Sequence, residues 1–260
     1  MFSEAIVRAV PATLEAGITS ANLGKPNYEK ARGQHDRYVS ALERCGLEVT
    51  TLSADDRLPD SVFVEDTAVV TDRCVIVARP GAERRRGEVP EVEEKVSGLY
   101  ENVERIVDPG TLDGGDVLQV GDHFYVGLTR RTNREGAGQL ADILRRYGFG
   151  ASFVGLRRFL HLKTGVSYPG GNDLLVAGEL VAKDEFEDFD RIVVPPEEEY
   201  AANCICLNGC VLVPAGYQRT RDKIAGRGYE VIELEMSEFR KLDGGLSCLS
   251  LRLPAPGGGF

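Results

Sequence analysis

Histidine is scarce in this chain: three residues supply every imidazole among its 260 positions, so chemistry that needs one has few places to find it. Long apolar runs are missing. No stretch approaches the ~20 residues that span a bilayer, which argues against a membrane-spanning helix. The N-terminus, Met1-Phe-Ser-Glu4, has neither a basic start nor an apolar core, which predicts a cytoplasmic protein without a signal peptide. Positive charge is outnumbered, with 31 Lys and Arg against 41 Asp and Glu and a net charge of −10. That balance offers no basic stripe to nucleic acid. No linker divides the chain either. Residues 1–253 are expected to form one domain, with Pro254–Phe260 a disordered Gly- and Pro-rich tail.

What is present reads as an ordinary soluble globular protein, 42% hydrophobic and 28% charged. Six cysteines in a reducing compartment are expected as free thiols. Cys204, Cys206 and Cys210 resemble a metal cluster at first sight. However, Leu207-Asn-Gly-Cys210 reads as a two-residue hairpin that puts Cys210 opposite Leu207, on the other face from Cys204 and Cys206. Three thiols so arranged do not converge, and neither a metal nor a cofactor is expected.

Short β-like runs recur at Val62–Val64, Ala68–Val70, Cys74–Ala78, Val117–Val120, Phe124–Gly127, Leu174–Ala177, Cys204–Leu207, Val211–Val213 and Cys248–Leu251. Helical patterns separate them. Tyr28–Arg44 has helical apolar spacing and stops at Cys45-Gly46. Thr132-Asn-Arg-Glu135 reads as a capping box opening a helix to Tyr147. Further helices are expected over Pro90–Tyr100 and Thr220–Arg227. Polar turns lead into apolar strands at Glu65-Asp66, Gly114-Gly115, Gly170-Gly-Asn172, Ala202-Asn203 and Gly244-Gly245. The uneven gaps do not prove a repeat. Even so, β-rich units with polar strand mouths point to an α/β fold arranged radially, its functional groups converging at one end.

The chemistry-bearing residues lie at those mouths. Asp243-Gly-Gly-Leu-Ser-Cys248 sets a thiol after a double-glycine turn, and Asp113-Gly-Gly-Asp116 carries carboxylates on a second one. His161 stands between them, in an apolar strand-like run ending at Gly165; His35 reads as a solvated helix residue and His123 as a strand end. Thiol, imidazole and carboxylate together point to covalent catalysis by cysteine. Glu65-Asp66 after an apolar run calls for water or a cation. The basic clusters at Arg84–Arg86 and Arg130-Arg131 could clamp a ligand carboxylate.

Four motifs in order, Pro59-Asp-Ser-Val-Phe-Val-Glu-Asp66, Leu112-Asp-Gly-Gly-Asp-Val-Leu118, Leu160-His-Leu-Lys-Thr-Gly165 and Asp243-Gly-Gly-Leu-Ser-Cys-Leu-Ser250, closely resemble the dimethylarginine dimethylaminohydrolases. The resemblance runs from the Gly17-Ile-Thr-Ser20 loop to Leu251. It implies the guanidine-modifying (pentein) superfamily, a five-bladed α/β propeller of ββαβ repeats around a central active site. It also implies hydrolysis of methylated arginines to citrulline and a methylamine. Cys248 would be the nucleophile, His161 the acid and then base, and Asp113 the residue that orients it, where some bacterial members carry Glu. Asp60, Glu65 and Asp66 match positions around the guanidinium and the histidine, and Arg85 and Arg131 match carboxylate binders. Ile18 falls in a mobile lid loop, and Leu242 and Asp243 match the loop at the substrate's α-amino end. A homodimer is allowed, with no nucleic acid or membrane partner.

Two other readings keep the same fold. An arginine or agmatine deiminase would use the same Cys, His and carboxylates. Paired Arg85 and Arg131 argue against agmatine, which has no carboxylate. The absence of a large helical insertion argues against typical arginine deiminases. A non-catalytic propeller protein, such as a ribosome-binding anti-association factor, would have no need of the triad, and the context of Cys248 lacks the local signatures of cysteine peptidases.

Overall fold

The computed structural model describes residues 1–255; the remainder of the expected tail lies outside the described residues. Chain order runs β1 (Phe2–Arg8), α1 (Tyr28–Arg44), β2 (Glu48–Leu52), β3 (Ala68–Val70), β4 (Val75–Val77), α2 (Val89–Ser97) and β5 (Val103–Arg105). Then come β6 (Val117–Val120), β7 (His123–Leu128), α3 (Arg134–Arg146), β8 (Gly150–Gly155), α4 (Leu162–Gly165), β9 (Val166–Gly170), β10 (Asp173–Val176) and β11 (Asp190–Val193). The chain ends with β12 (Ile205–Leu207), β13 (Cys210–Pro214), α5 (Gln218–Ala225), β14 (Glu230–Leu234), α6 (Ser237–Arg240) and β15 (Leu251–Pro254).

These strands form five three-stranded sheets, β3-β4-β5, β6-β7-β8, β9-β10-β11, β12-β13-β14 and β15-β1-β2. In each, the first strand pairs antiparallel with the second, and the second parallel with the third. An antiparallel pair can close through a tight turn, whereas a parallel pair needs a crossover. Helices α1, α2, α3 and α5 supply four of these; between β10 and β11 two short 3-10 turns take that place. The fifth sheet joins the two ends of the chain, with Ile6 opposite Leu251 and Phe2 opposite Pro254. Pro254 is therefore strand rather than tail, and the Ala255 N–H donates to the Met1 carbonyl.

Local sequence accounts for several elements. Asn27 caps α1 by accepting from the Lys30 N–H, and the helix ends where Gly46 takes a φ of 88°. Its face Ala31, Gln34, His35, Tyr38, Ala41 and Leu42 is buried. His35 thus belongs to the interior, and burial lowers its pKa to about 4. Asn208 and Gly209, at φ of 52° and 95°, make the expected hairpin. Leu207 faces Cys210 there, with Cys204 and Cys206 packed in a different cluster from Cys210. Helix α3 starts one residue later than the capping box predicts. Asn133 is the cap, because the Thr132 hydroxyl is spent on Asp116 instead. The helix packs Ala137, Leu140 and Leu144 against Phe124, Val126 and Phe149; each fully buried leucine contributes about 2 kcal/mol. No helix among the described residues is long and apolar enough to cross a membrane.

Candidate active site

Every sheet is reached through a short helical turn just before its first strand. The turns are Val64–Thr67 before β3, Gly114–Asp116 before β6, α4 before β9, Pro196–Ala202 before β12 and Ser247–Leu249 before β15. Neighbouring turns pack on one another. The sequence rhythm is thereby corrected at one place. Gly170-Gly171 lies at the β9–β10 hairpin, and the third strand mouth is His161–Gly165. Two assignments change with it. His161 is the residue capping α4, not part of a strand. Cys248 sits in a 3-10 turn ahead of β15, where a strand over Cys248–Leu251 is expected from sequence.

The turns are tied together by buried charge. Glu65 accepts from Lys163 Nζ at 2.6 Å, Arg252 Nη2 at 2.7 Å and the Ser247 hydroxyl at 2.7 Å. Asn203 donates to the Lys163 carbonyl and accepts from the Ser247 N–H. Asp116 accepts from the Leu162 N–H at 2.9 Å and from the Thr129 and Thr132 hydroxyls, both at 2.7 Å. Buried carboxylates demand such partners. Burial raises the Glu65 pKa, but the adjacent Lys163 and Arg252 outweigh it and hold the group below its ordinary value. Asp116 has hydroxyl partners instead, and burial pushes it up to about 6. Lys163, Asn203, Ser247 and Arg252 were not legible as site residues in the sequence. Their only signal is a polar residue recurring beside each first strand.

Asp66 lies near the imidazole. It follows Glu65, which holds Ser247, the neighbour of Cys248. Its Oδ1 accepts from the Gly115 N–H at 2.9 Å and lies 3.9 Å from His161 Nε2. His161 Nε2 is 3.0 Å from Asp113 Oδ2, whose other oxygen accepts from the Gly81 N–H at 2.8 Å. Burial opposes charge on the imidazole, but Asp66, the Asp113 hydrogen bond and Asp116 prevail, raising its pKa to about 9. The same pairing holds Asp113 below its usual range against burial. Cys248 goes the other way. Burial, then Glu65 and Asp66, push its thiol up to about 12, against the Gly245 N–H and Lys163. At neutral pH these shifts favour a thiol at Cys248 and an imidazolium at His161.

The His161 shift makes stability depend on pH. A histidine raised from 6.5 to about 9 on folding contributes fully below pH 6.5, and its contribution is lost as pH rises through 9. Denaturant titrations should therefore show stability falling by on the order of 3 kcal/mol across that window, with the fall removed in His161→Asn. A wild type without a slope there would contradict the imidazolium assignment.

Gly114 and Gly115 permit this packing. A Cβ on Gly114 would lie 2.0 Å from the Glu65 carbonyl oxygen, and one on Gly115 would lie 2.7 Å from His161 Nδ1 and 2.9 Å from Asp66 Oδ1. Gly115→Ala should displace the imidazole and lower kcat by about 10²-fold while circular dichroism stays native; unchanged kcat would contradict this role.

The remaining expected residues fall into two groups. Asp60 is buried, accepting from the Ile18 N–H at 2.8 Å and from Arg84 Nη2 at 3.1 Å. Asp243 holds the same loop from the other side, accepting from the Ser20 N–H at 2.6 Å and the Thr19 and Ser20 hydroxyls. It does so at a φ of 58°, a conformation uncommon for a residue with a Cβ. Leu242 is buried, its Cδ1 close to where a side chain on Gly17 would begin. The second group is basic. Arg85 is buried and already engaged, donating to Asp66 at 2.5 Å, to Glu88 and to the Phe63 carbonyl. Arg131 Nη1 is buried without a hydrogen-bond partner among the described residues, 3.7 Å from Asp113 Oδ2.

Asp66, Asp113 and His161 offer atoms within 4.8 Å of one another, a grouping that could hold a metal ion. Their bonding fits an ion pair better. A metal needs a deprotonated imidazole, His161 is held protonated, and Asp66 is already bound by the Gly115 N–H and Arg85.

Comparison with known proteins gives the family. The eukaryotic N,N dimethylarginine dimethylhydrolase family matches residues 19–155. The chain is 54% identical over 253 residues to the N(G),N(G)-dimethylarginine dimethylaminohydrolase of Pseudomonas aeruginosa, covering 97% of this chain and 100% of that one. It is 39% identical to the Streptomyces coelicolor enzyme of the same name, covering 95% of each. A solved structure of the Pseudomonas aeruginosa protein, a cysteine-to-serine variant complexed with citrulline, superposes with a TM-score of 0.96 and covers 97% of this chain and 100% of that one. The chain belongs to the dimethylarginine dimethylaminohydrolase family.

Proposed function

We propose that this protein hydrolyses Nω,Nω-dimethyl-L-arginine and Nω-monomethyl-L-arginine to L-citrulline and the corresponding methylamine, at a site where the five sheets meet as blades of an α/β propeller. One observation carries the reading: the half-buried Cys248 thiol and the charged His161 imidazole both feel the Asp66 carboxylate, and His161 is hydrogen-bonded to Asp113. A guanidinium fits that setting. Its planar N–H edges suit Asp66, with Glu65 behind it at the floor, while Asp113 stays with the imidazole. The substrate carboxylate goes to Arg131, whose buried Nη1 makes no hydrogen bond among the described residues and only a 3.7 Å ion pair with Asp113, with Arg85 as the second cation. The α-amino end meets the loop of Ile18, held by Asp60 and Asp243, against Leu242.

The same groups perform the chemistry. Bound guanidinium offsets Glu65 and Asp66, lowers the Cys248 pKa and releases its proton to solvent. The thiolate attacks the guanidinium carbon. His161, charged through Asp113, gives its proton to the departing dimethylamine. A thiouronium on Cys248 remains. Neutral His161 then takes a proton from water as the oxygen bonds to the same carbon, and the carbon–sulfur bond breaks to leave the citrulline ureido group and restore Cys248.

Product analysis tests the reading. Asymmetric dimethylarginine should yield dimethylamine and citrulline; ammonia from arginine as the main product would overturn it in favour of a deiminase. A cytoplasmic setting and a homodimer complete the proposal, the latter tested by light scattering on the purified chain.

A further inference from the structure

A cavity of about 460 Å³ bounded by the described residues does not include Cys248, His161 or Asp113 in its lining. It lies behind the turns that carry them. Its wall follows the first strand of each sheet away from those turns, from Lys163 to Gly170 along β9 and from Cys204 to the Asn208-Gly209 hairpin along β12. The walls are mostly apolar, with Val69, Val117, Phe124 and Ile205 among them. The floor is charged: Glu65, Lys163 and Arg252 are the only ionised side chains lining it. Two cations face one carboxylate, leaving one positive charge unbalanced. The Glu65 side chain is 3% exposed, against 14% and 15% for Lys163 and Arg252, so the accessible part of the floor is cationic.

We propose that this cavity is a second ligand site, for an amphipathic monocarboxylate whose chain fills the apolar shaft and whose carboxylate meets Lys163 and Arg252. The volume lies within the range of small-molecule pockets, roughly 300–1,000 Å³. The site goes beyond the catalytic reading and couples to it. An anion on Lys163 and Arg252 competes with Glu65, which holds the Ser247 hydroxyl next to Cys248, and Lys163 lies two positions after His161. Occupancy therefore disturbs both reacting groups without filling the substrate site.

Decanoate below its micellar concentration is the probe, with decyltrimethylammonium as the counterpart of opposite charge, both followed by titration calorimetry on the whole chain, so that binding is read without turnover. One decanoate should bind per chain, at least about tenfold tighter than the ammonium, and it should lower kcat without raising KM for substrate. Val70→Trp and Gln119→Trp, at half-buried lining positions, should each weaken decanoate at least about tenfold. Because the chain has no tryptophan, each also reports occupancy by fluorescence. Equal binding of the two amphiphiles, unchanged binding in both variants, or decanoate acting as a competitor of substrate would overturn the proposal.

Discussion

Cys248→Ser should lose turnover of asymmetric dimethylarginine by about 10⁴-fold or more, while substrate binding measured by calorimetry persists. The sulfur is the group whose ionisation the site controls. Its thiol is pushed up to about 12 by burial and by Glu65 and Asp66, and a bound cation reverses the carboxylates' part of that shift. A serine hydroxyl in the same place starts several units less acidic, and no local positive charge brings it within reach of neutral pH. The Gly245 N–H, which donates to the sulfur at 3.4 Å, can donate equally well to a hydroxyl oxygen, so the turn should survive. Substrate depletion assays against a wild-type control decide it; turnover within tenfold of wild type would remove Cys248 from the mechanism.

His161→Gly should separate the two halves of the reaction. Cys248 and the carboxylates remain, so attack on a substrate with a good leaving group can still proceed. What disappears is the proton donor to a poor leaving group and the base that activates water. Removing a positioned acid–base group costs about 10²–10⁴-fold. We therefore expect mass spectrometry of quenched reactions to find a thiouronium adduct on Cys248 when the substrate carries a thiol leaving group, with steady-state turnover down about a thousandfold. Hydrolysis of that adduct at the wild-type rate would show that another residue activates the water.

How much of this was legible in the sequence depends on the distance over which each feature is determined. Helix α1 was readable end to end because Asn27 caps it and Gly46 stops it within its own segment. The Asn208-Gly209 hairpin was readable because both turn residues need positive φ. Val62–Val64 looked like a strand and is not one; its apolar residues are buried because loop and turn pack against the core there. Strands β1, β2, β5, β8, β9, β11 and β14 were not read from the sequence; in β2, β5 and β14 charged residues are mixed with apolar ones along half-buried strands. At the candidate site, the motifs single out Cys248, His161 and Asp113, and His161 does meet Asp113. The partners of Glu65 were not found. Lys163 and Arg252 are 98 and 187 positions away, and only the closed ring of turns brings them together. Arg85 matched a ligand-binding pattern, yet its guanidinium spends most of its donors on Asp66, Glu88 and Phe63.

The most direct test of the account is the ionisation of Cys248 with and without a bound guanidinium, read from thiolate ultraviolet absorbance with Cys248→Ser as the blank. The predicted result is a thiol that stays protonated well past neutral pH in the free protein and ionises at markedly lower pH when an unreactive arginine analogue saturates the site. Identical titration curves in the two states would contradict the claim that the substrate's own charge creates the nucleophile.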